Sequence, residues 1–239
     1  MTRIHDMGGR FGDGPIPLKK IDGKVVDDEP VFKTDWHAKA FAITVASASV
    51  GKWSIDKSRF FRESLPPKDY AKFDYYEKWS SALINLLVER GLINKNDLIE
   101  ITKKAKEDNL DVSQVIDEHQ DVLKAKDVAI TLGRGGPSAR EVIPSPKFKV
   151  GQEVRTINYS PNKNIIGGHT RLPIYARGKK GKVILHHKGH VLPDASAHDL
   201  GDSPEHLYTV EFLSTELWGN KDGNQKDSIC IDLWESYLI

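Results

Sequence analysis

The sequence changes character at Pro144. Before it, apolar residues recur at helical spacing; after it, short β-rich runs are separated by turn residues. A chain written in two periods cannot bury its apolar side chains in one uniform bundle or one uniform sandwich. The expected fold class is therefore α+β, with an extended N-terminal arm, a helical N-terminal half and then a small antiparallel β-barrel. With 239 residues, 38% of them hydrophobic, the chain is long enough for two cores.

Four stretches are expected: 1–33 as the arm, 34–100 as a helical domain, 101–144 as a variable connector and 145–239 as the barrel. The arm holds Met7-Gly-Gly-Arg and Gly12-Asp-Gly-Pro-Ile-Pro, which disfavour continuous helix or strand. Thr34-Asp35 offers a cap for a helix over Trp36 to Val50. Ser54 offers one for a second helix from Ile55 to about Ser64, carrying Arg59 and Arg62 and stopped by Pro66-Pro67. Trp79, Leu83, Leu86 and Leu87 recur at helical spacing between Tyr75 and Arg90, and Gly91 terminates that third helix. Asn94 starts a short fourth helix at Lys95. The connector is charged, partly helical, and ends in Gly133-Arg-Gly-Gly-Pro-Ser-Ala-Arg. The expected strands lie in Phe148–Arg155, Gly181–Leu185, Leu207–Phe212 and Ser228–Leu233. No repeat at a solenoid period is present.

Lys and Arg number 35 against 34 Asp and Glu, a formal charge of +1, so nothing in the bulk charge draws the chain to nucleic acid or an anionic membrane. No apolar run resembles a secretory signal or a membrane span, and the expected location is the cytoplasm. The single cysteine, Cys230, excludes an internal disulfide and a cysteine-rich metal cluster. It sits in an apolar alternation that reads as strand core. Any thiolate-bound metal must come from another chain.

Several residue groups invite chemistry and mostly yield to simpler readings. His186-His187 with His190 lacks a carboxylate or cysteine spaced to finish a metal site, and reads as a polar hairpin. Gly133-Arg-Gly-Gly lacks the Gly-Lys-Ser/Thr ending of a phosphate loop and reads as a flexible linker. Arg177-Gly-Lys-Lys-Gly-Lys resembles the basic turn of some RNA-binding barrels, but no stacking aromatics are interleaved, and a solvated turn is expected. No Ser/His/Asp or Cys/His set can be assembled. Two arginines remain: Arg59, flanked by Phe60 and Phe61, and Arg171, in Gly167-Gly-His-Thr-Arg-Leu-Pro. A guanidinium is a permanently charged planar donor suited to an anionic oxygen acid, although such residues are more often plain ion-pair partners.

Several stretches together resemble the nitrile hydratase β subunit: Ile4-His-Asp-Met-Gly-Gly at the start, Gly168-His-Thr-Arg-Leu-Pro with Tyr175-Ala-Arg-Gly in the middle, and Glu216-Leu-Trp-Gly with Asp232-Leu-Trp-Glu-Ser-Tyr-Leu near the end. Their order and approximate spacing also match, and the resemblance is weakest over 101–144. It implies an SH3-like form for the barrel and a place in an αβ heterodimer, commonly paired into an α2β2 tetramer, that hydrates a small-molecule nitrile to an amide. It also implies that this chain binds no cofactor. The α subunit would hold a non-corrin Co(III), which Phe41 and Trp79 favour here, or a low-spin Fe(III).

By the same resemblance, Arg59 and Arg171 hydrogen-bond the oxidised cysteine ligands of that metal, and Phe41, Tyr75, Tyr76 and Trp79 line the substrate pocket. Tyr75 and Tyr76 lie one helical turn before Trp79, so at least two of the three can share a face; the alternative for Trp79 is ordinary core packing. One departure is Tyr159-Ser-Pro-Asn-Lys-Asn-Ile-Ile, a loop longer than the family leads one to expect. A thiocyanate-hydrolase-like subunit, a free-standing RNA-binding barrel and a metallochaperone for the α subunit are the rival readings. The fusion of both halves in one chain and the presence of the full C-terminal region favour nitrile hydratase.

Overall fold

The computed structural model describes residues 5–6, 20–25, 30–107, 121–159 and 162–239. Most of the expected arm, all of the Ile4 motif except His5 and Asp6, and Ser160 and Pro161 of the long loop lie outside the described residues. The chain divides into two compact units: a helical unit of Asp13–Ser54 and Phe61–Gly135, and a sheet unit of Met1–Gly12, Ile55–Phe60 and Gly136–Ile239.

The helical unit opens with a hairpin where no strand was expected. β1 (Lys20–Ile21) pairs antiparallel with β2 (Lys24–Val25). Asp22 and Gly23 both hold positive φ, 51° and 76°, the requirement of a tight two-residue turn. α1 (Asp35–Gly51) follows as the sequence predicts, but Thr34 makes no side-chain cap; only its carbonyl accepts, from the His37 N–H at 3.1 Å. Gly51 is required where it stands, because a Cβ there would lie 1.8 Å from the Trp53 ring. α2 (Ile55–Glu63) ends before the two prolines. Pro67, expected only to stop it, is instead the first residue of α3 (Pro67–Lys72), a position where a missing N–H loses no helical bond.

α4 (Tyr75–Glu89) has the most complete local specification. Asp74 and Glu77 form a reciprocal capping box, each accepting from the other's backbone N–H at 2.8 Å. At the other end Gly91 N–H donates to Val88 O and Leu92 N–H to Leu87 O, the paired bonds of a left-handed glycine terminus. α5 (Lys95–Lys106) is capped by Asn94, which accepts from the N–H groups of Asn96 and Asp97. α6 (Ala125–Arg134) contains the first two residues of the glycine-rich run expected to be linker. That run marks a helix C-terminus, the carbonyl end and the wrong polarity for phosphate. The core of this unit is small: Trp53, Leu83 and Leu86, joined by Ala48, Phe61 and Leu87.

The sheet unit is a curled four-stranded antiparallel sheet in the order β3 (Glu153–Arg155), β4 (Lys180–His190), β5 (Glu205–Leu213), β6 (Ser228–Trp234). β3 is shorter than the expected run from Phe148, because a turn closed by Gln152 N–H to Lys149 O, with Gly151 at φ 90°, precedes it. β4 is longer than expected and takes in all three neighbouring histidines. Lys188 (φ 67°) and a register shift between His186 and Gly189 form a bulge where the sequence read as a hairpin. Gly189 must be glycine, since a Cβ would meet Arg140 O at 2.4 Å. α7 (Pro193–Ser196) and α8 (Ser214–Asp222) were not foreseen. After β6 a 3-10 turn, Glu235–Tyr237, returns the chain to β3, where Ile239 and Arg155 exchange backbone bonds of 2.8 and 2.9 Å.

Tyr208, Tyr237, Phe212, Leu233, Val183, Val210 and Leu172 are fully buried in this unit, with Val154, Ile157 and Leu217 beside them. Cys230, expected in this core, is exposed. Its neighbours Ile229 and Ile231 are the ones that pack inward, so the alternation is present with the opposite phase.

Candidate functional site

Both arginines singled out in the sequence belong to the sheet unit. Arg59 Nη1 donates to Asp56 Oδ1 at 2.9 Å, one turn back on α2, and the Arg59 side chain is about a third exposed. Asp56 is itself 7% exposed, and its Oδ1 stands 3.9 Å from Nε2 of fully buried His169. Lys57, also buried, pairs with Asp199, and the Phe60 ring meets the His198 ring edge-on at 4.5 Å. This stretch of α2 is thus held to the turn after α7 through Lys57 and Phe60, and Asp56 faces the segment that leads to Arg171.

Arg171 is exposed, and among the described residues no carboxylate lies within ion-pair range of it. The backbone around it is fixed from behind. Asn162 Nδ2 donates to His169 O at 2.8 Å and Asp194 O at 3.1 Å, while its Oδ1 accepts from the N–H groups of Asn164 and Ile165. His169 N–H donates to His198 Nε2 at 3.0 Å. Arg171 N–H donates to the Tyr237 hydroxyl at 3.2 Å, and that hydroxyl donates to Asp194. Burial pushes the Asp194 carboxyl up to about 6, against the opposing pull of its hydrogen bond from Tyr237 and of nearby His169. Burial and the Asp194 charge push the Tyr237 hydroxyl well above its ordinary range. Asp194 does not stand out in the sequence and Tyr237 does so only as part of the C-terminal motif; their separation in the chain hides a pair joined in space.

The four aromatics singled out in the sequence come together in the helical unit. Phe41 on α1 is 6.0 Å from Trp79 between ring centroids, and Tyr75, Tyr76 and Trp79 lie 5.1–6.1 Å from one another. Three further groups join them that sequence reasoning missed. Phe32 is 5.8 Å from both Phe41 and Tyr76, His37 stacks on Tyr76 at 4.9 Å, and the Arg62 guanidinium lies 4.5 Å over Trp79. The signal available was the spacing of His37 and Phe41, one turn apart on α1. Trp79 is not part of the Trp53–Leu83–Leu86 core, and Tyr75 is 63% exposed. The cluster lies outside that core, half-buried except at Tyr75.

The other candidates are tied into the sheet. His206 Nε2 lies 2.7 Å from Pro144 O, a pure acceptor, so it carries the proton and its Nδ1 accepts from His186 Nε2 at 3.1 Å. Burial and His206 hold the His186 imidazole below its usual range. His187 reaches Thr209 at 2.7 Å, and Thr209 donates to Asp232. Within the basic run, Arg177 Nη2 donates to Leu172 O and Lys179 Nζ to Glu216 O. Among the described residues no group of three or more His, Cys, Asp or Glu is placed to hold a metal ion, and no helix is long and apolar enough to cross a membrane.

Comparison with known proteins accounts for both halves of the chain. Residues 1–128 match the family described as nitrile hydratase beta subunit, N-terminal, and residues 137–239 match nitrile hydratase beta subunit, C-terminal. The cobalt-containing nitrile hydratase subunit beta of Pseudonocardia thermophila is 36% identical over all of this chain and 96% of its own length. The low-molecular weight cobalt-containing subunit beta of Rhodococcus rhodochrous is 35% identical over all of this chain and 99% of its own, and the subunit of Pseudomonas putida 34% with the same coverage. Among solved structures, a recombinant apo thiocyanate hydrolase from Thiobacillus thioparus aligns over 49% of this chain and 97% of its own, with 23% identity and a TM-score of 0.34. On its two family matches and its full-length relatives, the chain belongs to the nitrile hydratase beta subunit family.

Proposed function

We propose that this chain completes the active site of a nitrile-hydrating heteromer whose metal is held by its α partner, as an αβ pair assembled into α2β2. A nitrile hydratase beta subunit is one component of a hydro-lyase built from different chains, so an alpha partner is implied. The described residues of this chain do not fit as metal ligands, and they do fit as donors to oxygens carried by such ligands. The observation that carries this reading is the exposed Arg171 guanidinium, with no carboxylate partner among the described residues, on a backbone fixed by buried groups. Arg59 accompanies it, with one guanidinium edge on Asp56. A charged fork held in this way suits sulfenic or sulfinic oxygens, which need donors that stay protonated.

In the same reading, Phe41, Tyr75, Tyr76 and Trp79 form an apolar wall for the nitrile's organic group. A trivalent metal bound by the partner supplies Lewis-acid activation of nitrile or water. What this chain supplies is orientation, exclusion of water and hydrogen bonds to the metal's sulfur-borne oxygens. Cobalt is the metal we favour, because the two relatives cited whose names state a metal are both cobalt-containing. We also read the sheet unit as a closed SH3-like barrel, supported by the bonds of Ile239 to Arg155 of β3 and of Tyr237 to Ile157 just after it, beyond the four-stranded order.

Co-expression with a cysteine-rich partner, purification through a tag on this chain and assay of nitrile-to-amide conversion tests the reading. Arg59→Lys and Arg171→Lys should each lower turnover by about 10- to 100-fold while the heteromer still assembles. Near-normal turnover in both variants removes the site assignment, and failure to capture a metal-bearing partner removes the subunit role.

A further inference from the structure

The sheet unit contains a buried charge-bearing pair that the chemistry above does not use. Asp194, at the start of α7, is 3% exposed, and Tyr237, in the 3-10 turn after β6, is fully buried. An apolar pair of similar volume would serve a core at least as well, because a buried carboxylate loses hydration that its partners only partly replace. The pair has a direction. Tyr237 gives its proton to Asp194, which turns the hydroxyl lone pairs toward the loop, and the Arg171 N–H donates into them at 3.2 Å. The same α7 segment holds the loop a second time, through Asp194 O and Asn162.

We propose that Asp194 and Tyr237 are positioning residues for Arg171, the ionised carboxylate holding the tyrosine as an acceptor so that the arginine's backbone, and with it the guanidinium, is fixed in one place. This rests on the proposed role of Arg171. Protonation of Asp194 turns an acceptor-only carboxylate into a carboxyl that can also donate, so the direction of the Tyr237 proton is no longer fixed and the Arg171 N–H is left competing with it. The groups facing Asp194 are Tyr237 from the 3-10 turn, His169 from the loop and Glu205 from β5. Asp56 and His198 stand behind His169. Positioning by Asp194 therefore fails as pH falls through about 6.

The test uses the assembled, metal-loaded heteromer carrying Tyr237→Phe, Asp194→Asn or Arg171→Lys, with kcat and KM measured from pH 5 to 8. Carbon-13 NMR of labelled aspartate provides a readout independent of activity. In the parent protein one aspartate resonance, absent in Asp194→Asn, should titrate near pH 6 and coincide with an acid limb in kcat. Tyr237→Phe removes the hydrogen bond that holds the carboxyl down, so the resonance should move to higher pH, while the limb, with no hydroxyl left to carry it to Arg171, should be lost, with kcat about tenfold lower and KM little changed. Asp194→Asn should lose the limb. A merely structural role predicts lower kcat with the limb unmoved, and that result, or a parent profile flat between pH 5 and 7, overturns the proposal. If a variant fails to assemble, the parent's resonance and limb still decide. If Arg171→Lys leaves turnover intact, the site reading fails with it; if Arg171→Lys is impaired and Tyr237→Phe is normal, only the positioning role fails.

Discussion

The two units place their large side chains in opposite ways. The sheet unit sinks Tyr208, Tyr237, Phe212 and Leu233 to complete burial and encloses polar His169 and Asp194 as well. The helical unit has a smaller core, built on Trp53, Leu83 and Leu86, and leaves Ile43, Ile99 and Ile130 more than half exposed. Its aromatics gather near the surface instead of in the core. A four-stranded sheet with its return strand can satisfy its own backbone and fill its own interior, whereas a few short helices cannot surround one another. One unit behaves as a scaffold that fixes groups; the other gathers its aromatics in a cluster outside its core, the arrangement expected of a chain whose family implies a second subunit.

If that contrast is right, Phe212→Ala should be the most damaging change, lowering stability by about 4 kcal/mol through lost burial and a cavity the packed interior of the curled sheet cannot collapse. Leu86→Ala should cost less, about 2–3 kcal/mol, because fewer neighbours surround it. Chemical denaturation of both variants checks the order, and equal losses would erase the distinction between the cores. Asp194 sharpens the contrast from the polar side. Its folded carboxyl, raised to about 6 from 3.8, favours folding while neutral; that contribution is full below about pH 4 and is lost as pH rises through 6. Relative to the parent, Asp194→Asn should therefore gain about 3 kcal/mol between pH 4 and pH 8. A stability difference that stays constant with pH would show that Asp194 titrates normally. The smallest effect is expected at Ile99→Ala, under about 0.5 kcal/mol in the free chain. A loss comparable to Leu86→Ala would mean that the exposed face is packed after all.

What could be read from the sequence follows the range of the forces involved. α4 was legible because Leu83, Leu86 and Leu87 mark its buried stripe and Gly91 closes it within a few residues. α3 was not, since Pro67 signals both an end and a beginning. In β6 the alternation around Cys230 was visible but its phase was not, because which face is inside depends on the partner strand and not on the strand itself. The length of β4 was hidden by Lys188-Gly189, whose turn-like composition here makes a bulge. At the site, Arg59, Arg171 and the aromatics were reachable through motifs. Tyr237 lies in such a motif too, but its pairing with Asp194 was hidden, since that depends on a strand return that no local pattern encodes.

That return has a consequence for the order in which the protein is made. β3 finds its outer neighbour in Ile239, the stretch just after β3 bonds Tyr237, and the Arg171 backbone finds its acceptor in Tyr237. Residues 153–171 leave the ribosome well before those partners exist, so the helical segments, with their local contacts, can form during synthesis while the sheet waits for its last strand. An α partner that meets the nascent chain finds the aromatic surface first and a fixed Arg171 only after Ile239 has emerged.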